Sequence, residues 1–282
     1  NLKLYSIPVI MTTLNHISPF NFKTFITIHK KMYPNIPKPS QEFLEWLVGF
    51  TEGDGSFTTS SRGIPIFVIT QSTSDIQVLK YIQTTLGFGQ IMKQGPKTSR
   101  FVVKNVSDLA LIVALFNGNL VFPLKQISFT NFLEAYNLRS NLSVVPFIST
   151  LVTPTFKDNW LAGITDAEGC FTCSLLGNSN RYRFRFLLAQ LGLINQPILV
   201  HLTTLIGGVV RPHSAKDVFE LTVNGVNNMT NLFEYFDTHK LLTKKAKSYK
   251  IWREVHESLV KGEHLSQDTR AALKTKAATI NK

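Results

Sequence analysis

Trp46-Leu47-Val48-Gly49-Phe50-Thr51-Glu52-Gly53-Asp54-Gly55-Ser56-Phe57 returns 114 positions later as Trp160-Leu161-Ala162-Gly163-Ile164-Thr165-Asp166-Ala167-Glu168-Gly169-Cys170-Phe171. Trp, Leu, one Gly, Thr, the final Gly and Phe are identical at matching places, and most of the other exchanges are conservative. Each copy sets an acid directly before a glycine, Asp54-Gly55 and Glu168-Gly169. A duplicated element with a carboxylate at the same point of each copy predicts two half-sites meeting on a pseudo-two-fold axis.

The repeat extends outward from these phrases. A β-prone stretch follows each one, Ile64–Gln71 and Arg181–Gln190, and each ends in glutamine. Helix-compatible segments come next, Ile76–Gly87 and Pro197–Gly207, then strand-like Arg100–Asn105 and Val218–Asn224, then helical Leu109–Phe116 and Met229–Phe236. Lys125 and Lys245 close the two halves. This predicts an α+β fold of two homologous halves, each helix–strand–strand–helix–strand–strand–helix. The expected organisation is an N-terminal extension over residues 1–40, a first half over 41–139, an uncharged, proline-bearing linker over 140–156, and a second half over 157–282. The last half ends in a basic helical tail with Trp252, Val255 and Leu259 on one stripe.

Composition narrows the partner. The chain has 282 residues, 30 Lys+Arg against 18 Asp+Glu, and a net charge of +12. Each half carries a similar share of the excess, which suits two basic surfaces on a polyanion, either nucleic acid or an anionic membrane. The uncharged run 4–22 contains Pro8, Asn15, His16 and Pro19, so a membrane-spanning helix is rejected. The acid-free N-terminus has the character of a transit peptide but lacks arginine, and a chain opening at Asn1 is expected of a processed or in-frame product. Two cysteines, Cys170 and Cys173, give no disulfide framework and imply a reducing compartment. Their C-x-x-C spacing has no second pair and reads as small packing residues. The histidines show no metal spacing, and the glycine pairs precede no phosphate-loop lysine.

The repeated phrase reads as a helix with a chemical purpose. Gly49 and Gly53, and Gly163 and Ala167, lie four apart on one stripe, where small residues let two backbones approach. Glycine costs a helix interior about 1 kcal/mol, so such a pair has a packing reason. Gly55 and Gly169 are expected to end the helices in the left-handed conformation. Asp54 and Glu168 then sit at the C-terminal ends of two paired helices, close to each other and to the negative ends of both dipoles. Divalent cations resolve that conflict, and carboxylates with the carbonyls of Gly53 and Ala167 form a hard-oxygen set suited to Mg2+. A lone Asp-Gly would read as an exposed turn; its repetition, with small residues before it and an aromatic after it, argues for the site.

Both phrases resemble the LAGLIDADG motif of homing endonucleases, in the two-motif, single-chain form of fungal organelle introns, and the resemblance covers roughly residues 42–260. It implies that the motif helices form the interface of two half-domains, each laying a saddle-shaped antiparallel sheet in the DNA major groove. It implies that Asp54 and Glu168 bind catalytic metals, that Gln71 and Gln190 surround metal-bound waters, and that Lys125 and Lys245 are the central basic residues. Mg2+ is the expected cofactor, with Mn2+ substituting and Ca2+ binding without efficient cleavage. The expected protein is a monomeric, mitochondrial enzyme that cuts both strands of double-stranded DNA with short 3′ overhangs. Two other readings share the fold: a maturase that binds its host intron RNA, and a cleavage-dead DNA-binding module.

Arg181, Arg183 and Arg185 alternate with Tyr182, Phe184 and Phe186, giving one cationic and one aromatic strand face. The matching first-half positions are Ile64, Ile66 and Val68, so DNA contacts there are expected from Arg62, Lys93, Lys97 and Arg100 instead, and Arg211 joins the second-half set. Alternating charge alone would mean only a solvated face. Unequal halves predict an asymmetric target.

Overall fold

The computed structural model describes residues 20–140, 143–177 and 179–282. Residues 1–19, and so much of the expected extension, lie outside the described residues. The first half contains α2 (Gln41–Asp54), β1 (Gly55–Thr59), β2 (Pro65–Ser72), α3 (Ile76–Leu86), β3 (Gln90–Lys93), β4 (Thr98–Val103), α4 (Val106–Phe116) and α5 (Pro123–Arg139), preceded by α1 (Lys23–Met32). The second repeats the order with α6 (Trp160–Glu168), β5 (Gly169–Leu175), β6 (Tyr182–Leu191), α7 (Gln196–Ile206), β7 (Val209–Pro212), β8 (Val218–Asn224), α8 (Thr230–Thr238) and α9 (Lys245–Val260), and adds α10 (Gln267–Ala277). The fold is α+β, with two four-stranded antiparallel sheets ordered β1-β2-β4-β3 and β5-β6-β8-β7.

Period-two alternation decides which face of each sheet is covered. Phe67 and Ile69 of β2, and Phe184, Phe186 and Leu188 of β6, are buried, while the residues between them stay partly open. Helices close the buried faces through aromatic clusters. Phe57 meets Phe116 and Phe129 edge-on with centroids 5.1 Å apart, and Phe171 lies 5.1 Å from Trp252. Such pairs add specificity of orientation to the burial itself. The uncovered faces of the sheets carry Arg100, Arg183, Arg185 and Arg211.

The structure corrects four expectations. A further helix, α5, follows α4 in the first half, and the tail after Lys245 divides into α9 and α10 at Gly262, whose φ is +78°. The motif helices do not end in left-handed glycines: Gly55 has φ −89° and Gly169 φ −68°, both extended. These glycines answer to space. A Cβ on Gly55 would lie 2.5 Å from Thr51 Cγ2, and one on Gly169 2.6 Å from Thr165 Cγ2, because the chain leaves helix for strand with no intervening turn. Arg181 falls just before β6 rather than within it.

The segment before α2 packs on the first half. Phe25 and His29 of α1 are buried, His29 Nε2 hydrogen-bonds the Leu86 carbonyl at 2.8 Å, and the Tyr33 hydroxyl donates to Asp108 at 2.5 Å. Residues 143–159 run between the halves with almost no regular structure. No helix among the described residues is long and apolar enough to cross a membrane.

Candidate active site at the motif helices

The two motif helices touch backbone to backbone. A Cβ placed on Gly49 would sit 2.2 Å from the Trp160 carbonyl oxygen, and one on Gly163 would sit 2.0 Å from that of Trp46. One turn further, a Cβ on Gly53 would overlap Ala167 Cβ at 2.3 Å. The reciprocity of these contacts is that of a pseudo-two-fold axis between α2 and α6. It carries Asp54 and Glu168, the last residues of the two helices, to the same end of the interface.

Two further acids, Glu52 and Asp166, hold the frame. Glu52 is buried; its Oε1 accepts from the backbone N–H groups of Val121 (2.8 Å) and Phe122 (2.6 Å), and its Oε2 accepts from Trp160 Nε1 across the interface (2.5 Å). Asp166 repeats the pattern, accepting from Leu242 N (2.7 Å), Thr243 N (3.1 Å), Thr243 Oγ1 (2.5 Å) and Trp46 Nε1 (2.8 Å). Each carboxylate therefore ties its own motif helix to the opposite tryptophan and to the start of α5 or α9. There it also faces the positive end of the following helix. Burial pushes Glu52 up to about 7 against the pull of its three N–H donors, and burial likewise raises Asp166. The sequence contained the clue, an acid two places before each terminal acid in both copies, but not the distinction between an acid that binds the frame and one that ends the helix.

This frame positions the lysines. Lys125 Nζ, in the first turn of α5, donates to the Gly55 carbonyl at 2.7 Å. Lys245 Nζ, at the start of α9, donates to the carbonyls of Ala167 (2.7 Å) and Thr165 (3.1 Å). The Ala167 carbonyl, expected as a cation ligand, is thus engaged by an ammonium group. Burial lowers both lysines, with nearby carboxylates, Asp54 and Glu168 among them, pulling in the opposite direction. Two contacts across the halves brace the same helix starts: Asn195 Oδ1 accepts from Leu124 N at 3.2 Å, and the Asp75 carboxylate accepts from Lys244 N at 3.3 Å.

Asp54 accepts a hydrogen bond from Gln71 Nε2. Burial, and then the Glu168 charge, push its carboxyl up to about 6, opposed by Lys245, Gln71 and Lys125. Gln190 occupies the equivalent strand position and lines a cleft of about 460 Å3 with Gly53, Lys125 and Glu168. It forms no counterpart bond to Glu168 among the described residues. The structure therefore brings together Gly53, Asp54, Gln71, Lys125, Ala167, Glu168, Gln190 and Lys245.

The basic residues expected on DNA lie apart from this centre. Arg62 is exposed in the β1–β2 turn, where Arg139 holds the turn by donating to the carbonyls of Arg62 (2.5 Å) and Gly63 (3.1 Å). Lys93 ends β3, Lys97 sits in the turn before β4, and Arg211 is on β7; all are exposed. Arg181 and Arg183 are exposed at the outer end of β6. Arg100 on β4 and Arg185 on β6 are half-buried on the open faces, and the Nε of each is shielded from solvent without a hydrogen-bond partner. A buried guanidinium N–H left unpaired is costly, and a ligand on that face would satisfy it. Cys170 and Cys173 are free thiols, and among the described residues no three His, Cys, Asp or Glu side chains cluster as a metal centre.

Paired helices ending in acids, flanked by lysines and two open basic sheets, give two matching halves around one axis, and similarity to known proteins places them. The LAGLIDADG endonuclease family model matches residues 47–136 and 161–256, and the chain belongs to that family. It is 32% identical over 246 residues to "Probable intron-encoded endonuclease 4" of Neurospora crassa, a match covering 85% of this chain and 44% of the relative. The chain thus spans less than half the length of that relative. It is also 26% identical over 152 residues to "Intron-encoded RNA maturase bI4" of Saccharomyces cerevisiae, covering 53% of this chain and 22% of the relative. Among solved structures, the meganuclease I-SmaMI bound to uncleavable DNA superposes with a TM-score of 0.71 at 18% identity, covering 86% of this chain and 98% of that one. At that identity the likeness is one of fold.

Proposed function

We propose that this chain is a site-specific endonuclease for double-stranded DNA, working as a monomer with one active centre per half. The observation that carries the reading is the convergence of Asp54 and Glu168 at the touching ends of α2 and α6, with Lys125 and Lys245 beside them. The net charge of +12 and two outward basic sheet faces supply the electrostatic footprint of a duplex.

The donor set fits a divalent cation. Asp54 and Glu168 offer hard oxygens, and the burial and Glu168 charge that push Asp54 up to about 6 favour a further cation beside it. Mg2+ bound there would neutralise the scissile phosphate and acidify a water. The chain's own residues do the rest. Gln71 fixes the orientation of the Asp54 carboxylate, Lys125 and Lys245 bring positive charge to the phosphates, and Gln190 lines the cleft beside Glu168. One centre per strand makes two cuts, and membership of the family implies that they leave short 3′ overhangs. The neighbours bound to DNA, the intron-encoded relatives, and one neighbour solved on uncleaved DNA with calcium ions support this reading. An organellar, mitochondrial place of action is proposed from the same relatives, one of them a cox1 intron protein of Schizosaccharomyces pombe.

Incubation with a randomised duplex library tests the proposal. Mg2+ and Mn2+ are expected to yield cleavage at one recovered sequence, Ca2+ to yield binding without cleavage, and chelation to yield neither cut. Recovery of no cleaved duplex, with selective binding of intron RNA, would replace this reading with the maturase one.

Proton and cation compete for Asp54, which predicts a pH dependence. An acid raised from 3.8 to about 6 stabilises the metal-free fold below 3.8 and loses that contribution as pH rises through 6. A bound cation needs the ionised form, so its affinity should weaken roughly tenfold per pH unit below 6. The rise in melting temperature caused by Ca2+ should therefore shrink from pH 7.5 to pH 5. In Asp54→Asn this slope should flatten; an equal slope in both proteins would count against Asp54 as a ligand.

A further inference from the structure

Of all residues in the eight strands, one is acidic: Glu220 on β8. It faces outward with the basic side chains, because its neighbour Leu221 and then Val223 turn into the core with no exposed surface. Thr222 Oγ1, on the same face, donates to Glu220 Oε1 at 3.0 Å and holds the carboxylate in place. The other carboxylate oxygen has no partner among the described residues. Arg211 lies directly opposite on β7 yet forms no ion pair with it; the two ion pairs among the described residues are elsewhere.

The register gives Glu220 a counterpart. Gln71 of β2 faces Ser99, and Gln190 of β6 faces Phe219. One step along, Arg100 faces Thr70 and Glu220 faces Ala189. The two halves therefore place opposite charges at equivalent points, each one residue from the glutamine beside an active centre. An unpaired carboxylate on a face that meets phosphates is repelled by them, and the edge groups of DNA that suit it are exocyclic amines. Carboxylates accept from cytosine N4, whereas arginine donates to guanine O6 and N7.

Resting on the endonuclease reading, we propose that Glu220 is a specificity-determining residue that selects cytosine at one inner base pair of the half-site bound by the second half, and that Arg100 selects guanine at the equivalent place in the other. The charge reversal then gives the target its direction: the pseudo-symmetric protein seats on it one way round.

The test profiles the full chain on every single-base variant of a duplex target selected by binding in Ca2+, reading binding in Ca2+ and cleavage in Mg2+, for wild type, Glu220→Ala and Glu220→Gln. Wild type should prefer cytosine at one inner position by about ten- to a hundredfold. Glu220→Ala should flatten that position and leave the others unchanged. Glu220→Gln should move the preference towards adenine, whose N6 and N7 suit an amide. Identical profiles for wild type and Glu220→Ala, or a wild-type preference for a base other than cytosine at the affected position, would overturn the assignment. Failure of the endonuclease reading looks different: no cleavage in Mg2+, with the base preferences still legible in the Ca2+ binding arm.

Discussion

Asp54→Asn should bind its target about as tightly as the wild type and fail to make double-strand breaks. The substitution keeps the size of the side chain and its ability to meet Gln71, so the helix end and the sheet behind it are unchanged. What it removes is a negative charge from a place where burial and Glu168 already strain that charge. The folded protein should therefore lose no stability, and DNA affinity should hold or rise, since one repulsion towards phosphate is gone. Activity behaves oppositely, because a neutral amide is a poor ligand for a hard cation. Loss of an outer-shell partner typically costs ten- to a hundredfold, and loss of a direct ligand should exceed about a hundredfold. Glu168→Gln should do the same at the other centre. With one centre per strand, each variant should accumulate nicked circular plasmid, and the two should nick opposite strands. Sequencing the nicks reads this directly. Full linearisation by either variant at the wild-type rate would remove its acid from the cleavage chemistry.

The repeated phrase made the core of this legible because the chemistry and the packing share the same twelve residues. Small residues four apart implied backbone contact, and the contact forced the acids together; both inferences are local and need only helical periodicity. The strands were legible for a similar reason, since Phe184 and Phe186 alternating with arginines could bury only one face. Helix α5 was less so. Its Phe129, Phe132, Leu133 and Tyr136 have helical spacing, but Thr130, Asn131 and Glu134 between them dilute the pattern. The termini of the motif helices were misjudged because glycine after a helix usually answers to a positive φ. Here it answers to the collision of a Cβ with Thr51 or Thr165, a relation set by the direct passage into β1 and β5. The roles of Glu52 and Asp166 depended on partners 69 to 120 residues away. No periodicity carries such distances, and two acids per motif look alike until the fold shows which is buried under backbone N–H groups. Glu220 was hidden for the reverse reason: a single acid on a strand is unremarkable until register sets it opposite Ala189 and matches it to Arg100.

Gly163→Ala should be among the most damaging single substitutions in the protein, although alanine is the better helix former by about 1 kcal/mol. The added Cβ would stand 2.0 Å from the Trp46 carbonyl oxygen and 2.8 Å from the Phe50 nitrogen. Both are backbone atoms of α2, so no side chain can rotate away, and α2 and α6 must separate. Separation stretches the bonds that Trp46 makes to Asp166 and Trp160 makes to Glu52, leaving two buried carboxylates short of donors. Overpacking of this kind and buried unpaired charge are both among the large destabilising mechanisms, and together they should cost roughly 3 kcal/mol or more. Gly177→Ala is the matched control: nothing lies within 4 Å of its added Cβ, and it should melt with the wild type. Gly49→Ala should resemble Gly163→Ala, because its Cβ meets the Trp160 carbonyl at 2.2 Å. Any Gly163→Ala protein that folds should have lost cleavage by more than it has lost stability, since a shift of about 1 Å between the helices moves Asp54 relative to Glu168 and is enough to cost about a hundredfold in rate. Urea denaturation and cleavage of the recovered target, measured on the same samples, separate the two effects. A Gly163→Ala variant as stable and as active as Gly177→Ala would mean that the helices do not touch as described, and the convergence of the acids would lose its physical cause.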